Sequence, residues 1–295
     1  MRNIEPGLPL DMTALEGHIR RWLEEDLGPG DVTSMATIPD GHESRGIIHS
    51  KESGIVAGIP VAKAVFHAVD PSLRFHAKVA DGDEIGRGTV LAEVEGATRS
   101  ILSAERLALN LLQRMSGIAT RTRQFVDAVE GFSAHIADTR KTTPGHRLLE
   151  KYAVRVGGGT NHRFGLFDAV LIKDNHIKAS GSIGQAVQAA RRTVPHTMKI
   201  EVEVETFEQL EEALEAKADI IMLDNMSADR MKEAVKRIRS VSPHVLVEAS
   251  GGVTLERVRE IAAAGVDIIS VGALTHTIQA LDISLDIHGK KEHAI

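Results

Sequence analysis

Cysteine does not occur in the 295-residue chain. That absence excludes disulfides, thiolate metal sites and cysteine nucleophiles. No apolar run approaches the roughly 18 residues of a membrane-spanning helix. The opening MRNIEPGLPLDM has no apolar core behind its arginine, so no secretory leader is expected. The phosphate-loop string G-x-x-x-x-G-K-[ST] is missing, and Gly157-Gly158-Gly159 does not continue into G-x-G-x-x-G. A net charge of −6 argues against whole-surface attraction to nucleic acid or anionic membrane. What is present, 42% hydrophobic and 26% charged residues, describes a soluble globular chain of one large or two ordinary domains. The cytoplasm is the expected location.

Charge is unevenly spread. Asp138 to Lys178 contains eight Lys/Arg against four acids, a local +4 in an acidic chain. Such a cluster suits a small multi-anionic ligand better than a long polyanion.

The two halves of the chain differ in pattern. TALEGHIRRWLEEDLG has helical periodicity, with Thr13 as expected N-cap and a stop at Gly28-Pro29-Gly30. Short strand-like runs follow (SRGIIHSK, SGIVAG), then AKVADGDEIGRGTVLAEVEG with turn chemistry at Asp81-Gly82 and Gly86–Gly88. LSAERLALNLLQRM reads as a helix capped by Ser103. In the second half, AHIADTR, DAVLIKD, KIEVEVE, ADIIMLD, VLVEAS and VDIISVG alternate with helical runs. Six such units in a row imply a parallel sheet, either a barrel or an open doubly wound sheet. LDISLDI then alternates strictly and is expected to pair outside the barrel, on the first domain's sheet.

Nearly every strand of the second half ends in a residue able to do chemistry: Arg140 and Lys141, Lys173, Glu203, Asp224, Ser250-Gly251-Gly252, Gly272. Active sites of α/β barrels gather at that face. Gly251 and Gly252 run from a strand into a helix, with Gly272 one unit later, which suits phosphate held by backbone N–H groups and a helix N-terminus. Glu201, Glu203 and Glu205 share one side of their strand and face the barrel axis if the valines face the helices. Buried there, they need a partner. Mg2+ shared with Asp224 is one solution, and ion pairing with Lys141 and Lys173 is the other. In RVGGGTNHR one glycine ends the preceding helix, and His162 and Arg163 lie where they can fold over a site containing Arg140.

DTRKTTPGHRLLEKYAVRVGGGTNHRFGLFDAVLIKDNH, with DLGPGDVTS and ERLALNLLQRMSGIAT before it and IEVEVE, IMLDN, EASGG and SVGALTH after it, resembles the quinolinate phosphoribosyltransferase family across residues 15–287. The resemblance implies an N-terminal α/β sandwich (residues 1–115, joined by a C-terminal strand, 277–295) and an incomplete, TIM-like α/β barrel of parallel strands (116–276). It implies that phosphoribosyl pyrophosphate and quinolinate react with loss of CO2, giving nicotinate mononucleotide for NAD synthesis. Arg140, His162, Arg163 and Lys173 would meet quinolinate, with Lys141 nearby and Arg106 arriving from a partner in a homodimer or larger even oligomer. Glu203 and Asp224 would hold the Mg2+–phosphoribosyl pyrophosphate end; Lys141, Lys173, Glu203 and Asp224 would be the catalytic set. Ser250, Gly251, Gly252, Gly272 and His276 would take the 5-phosphate. Two rivals explain less. Other phosphate-binding barrels, of the thiamin or tryptophan pathways, share the glycine loops but not the cation cluster. VADGDEIGRGTVLAEVEG resembles lipoyl and biotinyl carrier modules but holds no lysine to modify.

Overall fold

The computed structural model describes residues 10–289 and divides into two compact units. The first takes residues up to Arg123, 143–158 and those from Ile278 on; the second takes Gln124–Thr142 and Gly159–Thr277.

The first unit opens with α1 (Met12–Leu27), α2 (Val32–Thr37), β1 (Glu43–Ser50), β2 (Gly54–Ile55) and α3 (Ile59–Val69). It goes on through β3 (Arg74–Ala77), β4 (Glu84–Ile85), β5 (Val90–Ala97) and α4 (Thr98–Ala128), whose last turns enter the second unit. α1 starts one residue before the expected cap. Asp11 accepts the Ala14 N–H at 3.0 Å, so Thr13 lies inside the helix and Leu15, Ile19 and Leu23 form its buried stripe. Ser103 is not a cap either, because β5 passes directly into α4 at Thr98. Ile101, Ala104, Ala108, Leu112, Met115 and Ala119 are buried at helical spacing along α4, and this burial carries the helix through a position suited to start one. The sequence boundary near residue 115 therefore falls inside α4, and the compact units part at Arg123.

α5 (Arg147–Val156) and β12 (Ile283–Gly289) return to the first unit. β12 pairs antiparallel with β1, from Ser44 opposite Gly289 to Ser50 opposite Ile283, and completes the sheet order β12-β1-β5-β3. LDISLDI thus takes its expected place; the expected segment beyond Gly289 lies outside the described residues. The approach to β12 is fastened to α4. The Leu281 N–H donates to Gln113 O at 3.0 Å and the Gln113 amide donates to Ile283 O at 2.6 Å. At Gly117 a Cβ would stand 2.1 Å from Gln279 O, so no larger residue fits the crossing. The glycine run after α5 divides its duties. A Cβ on Gly157 would meet Ala119 O at 2.5 Å, and Gly158 holds the left-handed turn at φ 95°.

The second unit is the regular one: β6 (His135–Ala137), β7 (Val170–Ile172), α6 (Asp174–Ser180), α7 (Ile183–Thr193), β8 (Ile200–Val204), α8 (Phe207–Glu215), β9 (Ile220–Asp224), α9 (Ala228–Val241), β10 (Leu246–Ser250), α10 (Leu255–Ala263), β11 (Ile268–Ser270) and α11 (Ala273–His276). Its six strands are parallel, in the order β6-β11-β10-β9-β8-β7. The first strand thus pairs with the last while β6 and β7 stay unpaired with each other, which is an α/β barrel left open on one side. Ile200, Val202 and Val204 of β8 are fully buried, as are Ile221 and Leu223 of β9. α7, α8 and α9 each start on a Ser or Thr (Ser182, Thr206, Ser227) whose side chain accepts an N–H of the first turn. Thr254, before α10, makes no such bond. Among the described residues no helix is long and apolar enough to cross a membrane.

Candidate active site

The carboxyl ends of the second unit's strands surround a cavity of about 740 Å³. Its lining includes Arg140, Lys141, His162, Arg163, Lys173, Glu203, Asp224, Ser250, Gly251, Gly252, Gly272 and His276. Every residue expected at the site falls there except Arg106, which is exposed on α4 in the other unit. Of the eight cations in the basic segment, only these four line the cavity: Arg147, Lys151 and Arg155 belong to α5, and Lys178 pairs with Asp174 at 2.9 Å.

The loop bearing His162 and Arg163 is held to β6. Thr160 bridges Ala137, its N–H donating to Ile136 O at 2.8 Å. Asp138, fully buried, accepts from the Asn161 amide at 2.6 Å and from the His162 N–H at 2.9 Å. Arg163 is thereby brought beside Arg140, which stands just past the end of the same strand. Burial first, and then the Arg140 charge, hold the Arg163 guanidinium below its ordinary range, against the opposing pull of Glu201 and Asp168. Arg140 Nε is buried without a hydrogen-bond partner. Two like charges facing each other with unspent donors form a receptor for a dianion.

His162 is less available than its place in the lining suggests. Its Nδ1 accepts the Arg163 N–H at 2.7 Å, while Nε2 lies 3.2 Å from Glu201 Oε2 and 3.5 Å from Glu248 Oε1. The Ser270 hydroxyl donates to the same Glu248 oxygen.

Glu203, one residue before the end of β8, and Asp224, the last residue of β9, both line the cavity. Lys173 donates to Glu203, so the ion pair considered for this carboxylate is formed. Asp224 Oδ2 accepts from the Asn225 amide at 2.7 Å. Oxygen donors at the mouth of an open cavity suit Mg2+, which keeps several waters and takes only one or two carboxylates. Glu203 and Asp224 fit that demand. His162, Glu201 and Glu248 also stand close enough together to hold a metal. They are already engaged with one another in a buried place, a poor setting for an ion that sheds water reluctantly.

In the same lining, Gly251 and Gly252 take φ of 88° and 57°. A Cβ on Gly251 would stand 2.2 Å from Asn225 Oδ1, so glycine is required both by conformation and by space. The loop leads into nine-residue α10, whose first amides have no side-chain cap. Gly272 lets Lys141 and His276 close in: its Cβ would stand 3.2 Å from Lys141 Cδ and 3.1 Å from His276 Nε2. Sequence reading missed Asp138, Asn225, Glu248 and Ser270. A polar residue set into an apolar strand was the signal for Glu248 and Ser270; Asp138, at a strand end next to Arg140, had the same signal as the residues that were found.

An open parallel barrel with cations and glycine loops lining one cavity at its mouth defines an α/β-barrel protein for small polyanions. Family models sharpen this. The quinolinate phosphoribosyl transferase N-terminal domain matches residues 31–116 and the C-terminal domain residues 118–286. The chain belongs to this family. A nicotinate-nucleotide pyrophosphorylase [carboxylating] of Mycobacterium leprae is 46% identical over 280 residues, covering 94% of this chain and 98% of that one. A probable enzyme of the same name from Bacillus subtilis is 47% identical over 269 residues, 91% and 92% of the two chains. The crystal structure of NadC from Streptococcus pyogenes superposes with a TM-score of 0.91 at 38% identity, covering 96% of this chain and 99% of that one.

Proposed function

We propose that the cavity joins quinolinate to the ribose of phosphoribosyl pyrophosphate, releasing pyrophosphate and CO2 and leaving nicotinate mononucleotide for NAD synthesis. The reading is carried by one observation, the mutually repelling Arg140 and Arg163 guanidiniums in one cavity lining, with Arg140 Nε buried and unpartnered. Such a pair is costly when the site is empty and is relieved by a ligand with two adjacent carboxylates.

Arg140 and Arg163 hold the pyridine dicarboxylate, with Lys173 within the same lining. Orientation is their main contribution, because a ring nitrogen fixed in line with the ribose C1 avoids the entropy of a two-body encounter. The displacement builds positive charge at C1 and negative charge on the departing pyrophosphate. Glu203 and Asp224 would hold Mg2+, which when bound draws charge from the diphosphate. Ser250, Gly251, Gly252, Gly272 and His276 take the 5-phosphate through the glycine-loop N–H groups and the uncapped start of α10. Loss of the 2-carboxylate leaves carbanion character beside a cationic ring nitrogen, and Lys141 and Lys173 supply further positive charge. No covalent enzyme intermediate is needed.

The working unit in this reading is a homodimer or larger even oligomer, with the exposed Arg106 of one subunit serving the other's cavity, and its location is the cytoplasm. Calorimetric titration of quinolinate into wild type and Arg140→Ala tests the assignment. Loss of one bidentate arginine is expected to weaken binding by about 2–4 kcal/mol, roughly 30- to 1000-fold. Equal affinity in the two proteins would take the cation pair out of the substrate site.

A further inference from the structure

Beside the pocket's arginines lies a set of buried polar groups that the proposed transfer reaction does not use, although Glu248 and Ser270 among them also line the cavity. Glu201 is 3% exposed and Glu248 2%, on β8 and β10, and one oxygen of Glu201 has no partner. Carboxyl groups kept in a core, with an oxygen unsatisfied, lower stability relative to apolar residues of the same size. Their retention needs a return elsewhere, and the neighbouring contacts indicate which.

His162 Nδ1 accepts the backbone N–H of Arg163 at 2.7 Å. A ring nitrogen that accepts an N–H carries no proton, which assigns the imidazole proton to Nε2. Nε2 is directed at Glu201 at 3.2 Å and Glu248 at 3.5 Å, which leaves neither ring nitrogen for a ligand. One ligand atom from each of His162, Glu201 and Glu248 lies within 4.8 Å of the other two. Burial first, and then the Glu201 charge, push the Glu248 carboxyl up to about 8. Ser270 anchors Glu248 from the next strand. At the far end of the chain of contacts, Arg163 Nη1 donates to Ala169 O at 3.0 Å, so its guanidinium is steadied beyond the backbone.

We propose that Glu201 and Glu248 are positioning residues for Arg163: they fix His162 in one tautomer and one orientation, and its Nδ1 fixes the backbone from which Arg163 reaches the pocket. The inference rests on the reading that Arg163 receives a quinolinate carboxylate. It makes His162 a strut between core and site and not itself a contact to the ligand's charge.

Nitrogen-15 NMR of histidine-labelled wild-type enzyme reads the tautomer directly. A bare Nδ1 and a protonated Nε2 for His162 are expected; a protonated Nδ1 overturns the proposal. Steady-state kinetics then read the consequence. Glu201→Ala and Glu248→Ala should raise the quinolinate KM roughly ten- to hundred-fold, with kcat and the phosphoribosyl pyrophosphate KM changed far less. Glu248→Gln keeps the size of the side chain and an acceptor for Ser270, so it should restore most of the quinolinate KM. A fall in kcat with both KM values unmoved, or a glutamine variant as impaired as the alanine one, overturns the positioning role. If the alanine variants do not fold, the wild-type and Glu248→Gln spectra decide, since a merely structural pair would leave the His162 tautomer free to change between them. Arg163→Ala with an unaltered quinolinate KM would instead remove the substrate reading, and the proposal with it.

Discussion

Glu248 gives the plainest expectation for a single side chain. Its carboxyl titrates near 4.5 in an unfolded chain and is pushed up to about 8 in the folded one, by burial first and then by the charge of Glu201. Between those values the folded protein holds a proton that the unfolded chain has released, so this group's contribution to stability falls as pH rises from about 4.5 to about 8 and is flat outside that window. Glu248→Gln has no such titration. Urea unfolding at pH 5 and pH 8 should show the variant gaining on wild type at the higher pH, and an equal difference at both would mean that Glu248 is ionised throughout. At this scale the sequence was legible where side chains end strands: Arg140, Lys173, Glu203 and Asp224 are marked by position. The partnership of His162 with Glu201 and Glu248 was not, because it joins a loop to two strands far apart in the chain and no spacing rule connects them.

Elements were legible in proportion to how local their causes are. The six barrel strands were readable because each is a short apolar run between helices, and parallel pairing follows from the crossovers. Helix starts were read less well, since Thr13 and Ser103 both have cap chemistry while Asp11 and the burial along α4 set the actual boundaries. The turn from β10 into α10 depends most sharply on one atom. Gly251→Ala adds a Cβ 2.2 Å from Asn225 Oδ1 at a positive φ. Strain of about 1–3 kcal/mol is expected, and with it a roughly ten- to hundred-fold loss of phosphoribosyl pyrophosphate affinity, quinolinate affinity being spared. Calorimetry with each substrate separately checks this, and equal losses for both would mean that the loop supports the whole cavity and not its phosphate end.

For the whole molecule, the proposed sharing of sites predicts complementation. Arg106→Ala and Arg140→Ala homodimers should each be nearly inactive, yet mixing and re-association should recover about a quarter of wild-type activity, because half the dimers then hold one intact site of two. No recovery on mixing, with exchange verified by native mass spectrometry, would place Arg106 outside the partner's reaction. The route of the chain has a further effect during synthesis. β1 emerges early but one of its neighbours, β12, follows the entire barrel in the chain, and Ser44 must wait for Gly289. Translation delivers about 5–20 residues per second, so one edge of that sheet stays bare for many seconds while the barrel strands, contiguous in the chain, are free to associate. An unpaired edge is a template for a neighbouring nascent chain, which makes the ribosome-bound interval, not the finished enzyme, the stage at which this protein is most exposed to aggregation.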